Sequence, residues 1–166
     1  MRRTVVAVAI LLFAGSGASA QVRSGLNEAN VNGHITSVSD GDESTTAMQL
    51  QLRYGRFLSD RAELGLTWSA NKFEDIDLFG SVGAFAAYHF GALGATTVPY
   101  LGAQVALGYG DEVENPIGFG AFGGLKFFVG PGGALSAEAF VDRTSYSDAD
   151  IDLTSFGRRL GVSIFF

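Results

Sequence analysis

Strict alternation of polar and apolar residues is the feature of this 166-residue chain that most limits its possible folds. In the stretch 62–70, AELGLTWSA, every second residue is apolar or aromatic, and the positions between are glutamate, glycine, threonine and serine. Successive side chains of a β-strand point to opposite faces, so the pattern predicts a strand with one apolar and one polar face. The chain is therefore expected to have an all-β fold.

The alternation recurs often enough to predict eight strands. They are residues 30–39, 45–57, 62–70, 78–90, 99–109, 116–129, 134–146 and 153–166. Most have roughly ten residues or more, which is the length that crosses a bilayer at a tilt. An even number of strands with short links predicts an antiparallel up-and-down barrel. The polar set combines many glycines with long polar side chains, which suits a narrow lumen, and the apolar set suits lipid.

The links between the predicted strands alternate in charge. Residues 40–44, 72–77, 110–115 and 147–152 each carry three acidic residues, whereas Asp60 is the only acidic residue in the links 59–61, 91–97 and 130–133. Alternate links of a meander lie on the same side of a membrane, so the acidic loops are predicted to be extracellular and the neutral turns periplasmic. Aromatic residues of the apolar set are expected to form a belt at each interface: Tyr54, Phe90, Phe127 and Phe166 near the neutral turns, and Trp68, Tyr109, Phe119 and Phe156 near the acidic loops.

Residues 1–20 have the pattern of a secretory signal peptide. Arg2 and Arg3 precede an apolar stretch, and Ala18-Ser19-Ala20 resembles a cleavage site. Cleavage before Gln21 leaves a single barrel domain, residues 21–166, whose net charge falls from −6 to −8 because both arginines are lost. This negative charge argues against nucleic acid as a partner. The absence of cysteine excludes disulfides and thiol chemistry.

Four stretches resemble one family: QLRYGRFLSDRAELGLTWS, VPYLGAQVALGYG, FGGLKFFVGPGGALSAEAFVDRTSYSD and the C-terminal LGVSIFF. They are similar to the OmpA/OmpX-like small outer-membrane β-barrels, the porin family of Gram-negative bacteria. The resemblance implies a location in the outer membrane. It also implies that the outer-membrane assembly machinery reads the C-terminal aromatic strand, and with it Phe166, as an assembly signal.

Six charged residues of the polar set are expected to face the lumen and balance one another: Arg53, Lys126 and Arg159 against Glu63, Glu138 and Asp142. Counting from the turns places Lys126 opposite Glu138 and Asp142 opposite Arg159, with Arg53 and Glu63 nearly in register across their turn. Buried charges need partners, so we interpret the set as a structural salt-bridge core. The alternative is a gated ion path, although an eight-stranded barrel has room only for its own side chains.

Three cations of the apolar set, Lys72, Arg143 and Arg158, are expected at the outer rim, with Arg143 and Arg158 near-opposite on the last two strands. Arginine suits bidentate phosphate contacts, so these residues are candidates for lipopolysaccharide phosphates. The alternative is that they only extend into water. The acidic loops are interpreted as a solvated rim, with a diffuse Ca²⁺ or Mg²⁺ bridge to lipid as the alternative.

No catalytic constellation, cofactor site or metal site is predicted. Neither His34 nor His89 has a neighbouring serine and carboxylate in a recognisable spacing, so the chain is not expected to be an enzyme. The expected function is structural: a monomeric barrel that supports envelope integrity and organises lipopolysaccharide in the outer leaflet. The alternatives are a small-solute or ion channel and a surface-adhesion or host-interaction barrel.

Overall fold

The computed structural model describes most of the chain after the predicted signal peptide, namely residues 22–40, 43–73, 76–91, 94–110, 116–146 and 151–166. The predicted signal peptide and its cleavage site before Gln21 lie outside the described residues. The same holds for the tips of the four predicted acidic loops, residues 41–42, 74–75, 111–115 and 147–150.

Eight antiparallel strands form a closed barrel in chain order, and the last strand pairs with the first. The strands are β1 (Asn27–Asp40), β2 (Glu43–Phe57), β3 (Ala62–Phe73), β4 (Ile76–His89), β5 (Thr97–Tyr109), β6 (Ile117–Gly130), β7 (Gly133–Tyr146) and β8 (Ile151–Phe165). The predicted up-and-down barrel is confirmed. In the described part of the chain, no helix has the length and apolar character needed to cross a membrane.

Several strands continue into the links that the sequence pattern assigned to loops. Asp40 in β1 pairs with Glu43 in β2, and Phe73 in β3 pairs with Ile76 in β4. Strand pairing depends on hydrogen bonds between backbone groups and does not require apolar side chains. The strands therefore continue past the apolar alternation, and the links are shorter than predicted. Polar residues at the acidic end therefore extend the strands beyond the apolar alternation.

The two faces of the wall have opposite character. Apolar side chains point outward, and Leu66, Leu160 and Phe156 are 64%, 71% and 85% exposed. Polar side chains such as Glu63 and Ser163 are buried inside. A continuous apolar exterior is stable only in an apolar medium, so the barrel is a transmembrane one.

Aromatic side chains stand on the outer wall at both ends. Near the neutral turns, Tyr54 and Phe166 are exposed, with their ring centroids 6.4 Å apart. Phe119 is exposed toward the other end. There the Tyr109 hydroxyl donates to the backbone carbonyl of Ser69 at 3.1 Å, which holds the ring against the wall. The positions fit two interfacial belts.

The N-terminal residues 22–26 close the mouth of the barrel at the neutral-turn end. Gly25 N donates to Phe57 O and Phe57 N donates to Leu26 O, both at 2.8 Å. We call the apolar cluster formed there the turn-side cap; it contains Val22, Phe57, Ala134 and Phe165, with Leu26 and Phe128 packed against it. The cap separates the polar interior from the mouth at the neutral-turn end.

Candidate functional site

Strand register places the predicted lumen charges beside different neighbours from those that counting along the sequence predicted. Lys126 pairs with Ser136, and Glu138 pairs with Gly124, so the predicted Lys126–Glu138 pair is wrong. The β6–β7 hairpin reverses tightly, with Gly130 opposite Gly133 and a register shift between Phe128 and Gly130. That shift moves every later pair along the ladder.

The other two predicted pairs are also wrong. Arg159 lies opposite Glu138, and Asp142 lies opposite Ser155, because the β7–β8 ladder continues up to the Tyr146–Ile151 pair. Arg53 lies opposite Thr67. The β2–β3 hairpin is tight enough to place Glu63 opposite Phe57 instead.

A central cluster of charges forms around Glu138, whose side chain is fully buried. Arg53 from β2 reaches across the interior, with Nη1 2.6 Å from Oε2 of Glu138. Arg159 donates from Nε to Oε1 of the same carboxylate, and the Tyr100 hydroxyl donates to Oε2 at 2.9 Å. One carboxylate therefore contacts two guanidinium groups, with Arg53, Tyr100, Glu138 and Arg159 as the members of the central cluster.

A second group, the turn-side cluster, lies between the central cluster and the cap. Lys126 contacts Oε2 of Glu28, and its Nζ is 3.7 Å from Oε2 of Glu63. His89 Nε2 is 3.0 Å from that same Glu63 oxygen. The Ser163 hydroxyl donates to Oε1 of Glu28 at 2.7 Å. Glu28, Glu63, His89 and Lys126 thus form a buried ionic group that spans β1, β3, β4 and β6.

Aromatic rings pack against both clusters. Tyr100 joins them, since its ring stacks on His89 with centroids 5.6 Å apart while its hydroxyl reaches Glu138. The guanidinium carbon of Arg53 lies 3.8 Å from the centre of the Phe122 ring, and that of Arg159 lies 4.5 Å from the centre of the Phe140 ring. Contacts of this kind stabilise a desolvated cation.

Asp142, the sixth predicted lumen charge, is half-buried and makes no direct contact with a cation within salt-bridge distance among the described pairs. Its Oδ1 accepts from Gln104 Nε2 at 2.8 Å. Gln104 in turn accepts from Arg53 Nη2 at 3.2 Å. The amide therefore connects Asp142 to the central cluster indirectly.

Three residues of these clusters were missed by the sequence prediction: Glu28, His89 and Tyr100. Glu28 precedes the start of the predicted first strand, residues 30–39, yet it shares the inward parity of Asn30 and Asn32. Extending the alternation two residues toward the N-terminus would have found it. His89 and Tyr100 lie on neighbouring strands, where they pair with each other, and only the register shows this.

The space left between the clusters is small. A cavity of about 10 Å³ is lined by residues of both clusters together with Phe85 and Phe122. A cavity of that size is at the lower limit for one water molecule. His89 and Glu63 are 1% and 4% exposed. The described cavity beside Glu63 is therefore too small for anything larger than a water molecule.

Two of the predicted rim cations, Arg143 and Arg158, are on the outer wall, but they are not neighbours. Arg143 and Arg158 are both exposed. Arg143 pairs with Thr154 and Arg158 pairs with Ala139, so the predicted near-opposite arrangement is wrong. The four-residue offset separates the two positions by about 13 Å along the strands, at about 3.3 Å per residue. The side chain of Lys72 lies outside the described residues.

Comparison with known proteins finds similar folds but no family. No family model and no curated protein matches the chain. Neisserial surface protein A (NspA) is 21% identical with a TM-score of 0.68, and the match covers 86% of this chain and 98% of that one. The N-terminal β-barrel domain of Pseudomonas aeruginosa OprF is 19% identical over 86% of this chain and 98% of that one, with a TM-score of 0.60. The outer membrane protein OprG of the same organism is 9% identical over 90% of this chain and 99% of that one, with a TM-score of 0.57.

The fold and the described interior together define a small eight-stranded transmembrane β-barrel with a polar lumen. It has the fold of the small outer-membrane barrels to which the sequence was found similar. At these identities the likeness concerns the fold, and function has to be argued from this chain's own residues.

Proposed function

We propose that the protein is a structural barrel whose lumen is closed to solutes. The observation that carries this proposal is the succession of the turn-side cap, the turn-side cluster and the central cluster across the interior, with a cavity of only about 10 Å³ between the clusters. Each buried charge has an opposite charge beside it, so opening a path would separate desolvated ion pairs. That separation costs several kcal/mol per pair.

We expect no discrete conductance steps when the chain is refolded into planar bilayers. The measurement is single-channel recording across a range of voltages, with a larger porin in the same bilayer as positive control. Heat-modifiable migration on a gel and a β-sheet circular dichroism spectrum establish that the barrel has folded. Reproducible conductance steps from folded protein would contradict the closed lumen and favour the channel alternative.

The proposed location is the outer membrane of a Gram-negative bacterium, and the proposed state is a monomer. The apolar wall, the two aromatic belts and the export signal predicted in residues 1–20 support the location. Expression in a Gram-negative host should place the protein in the outer-membrane fraction with Gln21 as its first residue. Sedimentation equilibrium in detergent tests the monomer. Recovery in the inner-membrane fraction would contradict the proposed location. A molecular mass above that of one chain would contradict the proposed monomer.

We propose that Arg143 and Arg158 organise lipopolysaccharide by contacting its phosphates. Both are exposed on the outer wall, Arg143 in the acidic half of the barrel and Arg158 at the midpoint of β8, and a guanidinium can bind a phosphate through two hydrogen bonds. Reversing both charges to glutamate should lower the lipopolysaccharide that co-purifies per barrel severalfold. The matched control is Arg56→Glu, which reverses an exposed charge at the neutral-turn end. If Arg56→Glu lost as much co-purifying lipopolysaccharide as the double variant, or if the double variant lost none, a specific role of Arg143 and Arg158 would be excluded.

Phe166 is proposed as the assembly signal implied by the family resemblance. Its side chain is 60% exposed, while its backbone is held by Asn27 through reciprocal bonds of 2.8 and 3.1 Å. Phe166→Ala should therefore leave refolding in detergent unchanged and reduce insertion in cells severalfold. The proportions of folded and unfolded gel bands, measured after refolding in detergent and after expression in cells, test this prediction. A defect that appears equally in vitro would assign Phe166 to stability instead.

A further inference from the structure

His89 is enclosed where the turn-side cap meets the two buried clusters. The residue is 1% exposed. Its ring lies between two aromatic rings, with its centroid 4.9 Å from that of Phe57 and 5.6 Å from that of Tyr100. Phe57 belongs to the cap, and Tyr100 belongs to the central cluster. An imidazole is the side chain whose charge changes most readily near neutral pH, so the protonation state of His89 bears directly on the cap.

The hydrogen bonds of the His89 ring favour its neutral form. Nε2 lies 3.0 Å from Oε2 of Glu63, and a carboxylate can only accept, so Nε2 carries the proton of the neutral ring. Nδ1 is buried and has no hydrogen-bond partner in the part of the chain that the structure describes. In the neutral ring, Nδ1 presents only a lone pair. In the protonated ring it would carry a buried N–H without an acceptor, which is costly.

The charges around the ring also oppose a further positive charge. Lys126 Nζ is 3.7 Å from the same Glu63 oxygen that His89 contacts, so a charged imidazole would stand close to another cation. Among the described residues, the fully enclosed charges of the two clusters already balance. They are the carboxylates Glu28, Glu63 and Glu138 and the cations Arg53, Lys126 and Arg159. Protonation of His89 would therefore leave one buried positive charge without a counterion.

The other ionisable groups near His89 do not supply that counterion. The Tyr100 hydroxyl donates to Glu138. Asp142 is joined through Gln104 to the central cluster. Arg61 accepts from the backbone N of His89 through its own carbonyl oxygen, and its guanidinium donates to the hydroxyl of Tyr88 in an exposed contact. A protonated ring would need water instead.

The cap is the part of this mouth that can open without breaking a strand ladder. Residues 22–26 precede β1 and are joined to the end of β2 and to its turn by a few hydrogen bonds. These bonds run from Gly25 N to Phe57 O, from Phe57 N to Leu26 O, from Ser24 N to Asp60 Oδ1 and from the Ser24 hydroxyl to Leu58 O. The two that Ser24 makes are exposed to water. Segments held in this way open locally before the core of a fold does.

We propose that His89 is an acid-sensitive latch for the mouth at the neutral-turn end. While the ring is neutral, it packs against Phe57 and the cap stays closed. Once the ring takes up a proton from the medium, it gains water only if Phe57 and residues 22–26 move away. The ring returns the proton when the pH rises, so the opening is reversible. The latch goes beyond the closed lumen of the structural function, and conductance at neutral pH does not bear on it.

Thiol labelling of the full barrel in phosphatidylcholine nanodiscs tests the latch, because the chain has no cysteine of its own. Val22→Cys places one thiol in the closed cap, where Val22 is 8% exposed. Ser24→Cys places one at an exposed position of the same segment, and its labelling rate at each pH corrects for ionisation of the thiol. We expect the corrected rate of Val22→Cys to be low at pH 8. Below about pH 6.5 it should rise about tenfold per pH unit, as for an opening that takes up one proton.

Two histidine variants in the Val22→Cys background identify the group that takes up the proton. In His89→Gln, whose amide can still donate to Glu63, the corrected rate should not change with pH, whatever its absolute value. In the matched His34→Gln, which removes the other histidine of the chain, the rate should rise as it does with both histidines present. A rise of the same size in His89→Gln would assign the opening to the carboxylates and overturn the latch. A rate that stays low in acid with both histidines present, or a rise that disappears in His34→Gln, would overturn it as well.

The ring can also be observed directly, which keeps the test valid if His89→Gln fails to fold. In ¹⁵N-labelled His34→Gln, the only imidazole signals come from His89. We expect a neutral ring with its proton on Nε2 at pH 7. A charged ring at pH 7 would overturn the proposal even if the cap opened in acid.

Discussion

Glu138→Gln is expected to lower the free energy of unfolding by about 3–5 kcal/mol, the range for breaking a buried ion pair by removing one partner. Glu138 is the only carboxylate that contacts Arg53 and Arg159 within salt-bridge distance among the described residues. The glutamine keeps the volume and one acceptor oxygen but leaves two buried guanidinium charges unbalanced. Urea titration of the barrel refolded into lipid vesicles, followed by the folded and unfolded gel bands, measures the change.

The control for this variant is Asp142→Asn. Asp142 lies on the same strand and the same inward face as Glu138, and Phe140 stands between them on that face. Asp142 is half-buried and accepts from Gln104, and an asparagine oxygen can accept the same bond. We expect a change below about 1 kcal/mol, as for a neutral hydrogen bond that is conserved. If both variants lose the same stability, Glu138 does not hold the two guanidinium groups together as an ion triad.

Gly65→Ala is expected to destabilise the barrel by about 3 kcal/mol, at the upper end of the effect of overpacking, or to prevent refolding. A Cβ at Gly65 would stand 2.6 Å from the Cα of Gly55 and 2.7 Å from Cε1 of Phe85, and closer still to the carbonyl oxygen of Tyr54. Because two of these atoms belong to the backbone of β2, a side-chain rotation cannot relieve the overlap. The fraction refolded and the urea midpoint measure the loss.

Gly33→Ala makes the same chemical change where there is room. Nothing lies within 4 Å of a Cβ at Gly33, and the change reduces the entropy of the unfolded chain. The expected effect is therefore neutral or stabilising by up to about 1 kcal/mol. A similar loss in both variants would indicate that the cost arises from the amino-acid type and not from the contact between β2 and β3.

The alternation of residue types was sufficient to predict the strands and their faces. Period two depends only on the local geometry of a strand, so Glu63 and Leu64 could be assigned to opposite faces without a partner strand. The sequence pattern also separated an apolar exterior from a polar interior. The strand ends were less predictable because Asp40 and Glu43 pair through their backbones.

The partners of the interior charges could not be predicted in the same way. Counting from a turn assumes its geometry, and the register shift before Gly130 invalidates that assumption. More importantly, two of the ion pairs join strands that are not neighbours. Arg53 of β2 meets Glu138 of β7, and Lys126 of β6 meets Glu28 of β1. Such contacts depend on barrel diameter and strand stagger, which no local pattern specifies.

Both ends of the folded chain meet at one mouth, where Asn27 and Phe166 exchange backbone bonds and Val22 packs with Phe165. Ser163 and Glu28, which are hydrogen-bonded to each other, are 135 residues apart in sequence. Contacts of such long range slow folding because the entropy of loop closure is lost before the contact forms. Until β8 pairs with β1, the sheet has an open edge and Glu28 lacks the Ser163 hydroxyl. Assembly of this barrel should be limited by a single late step, the arrival of β8.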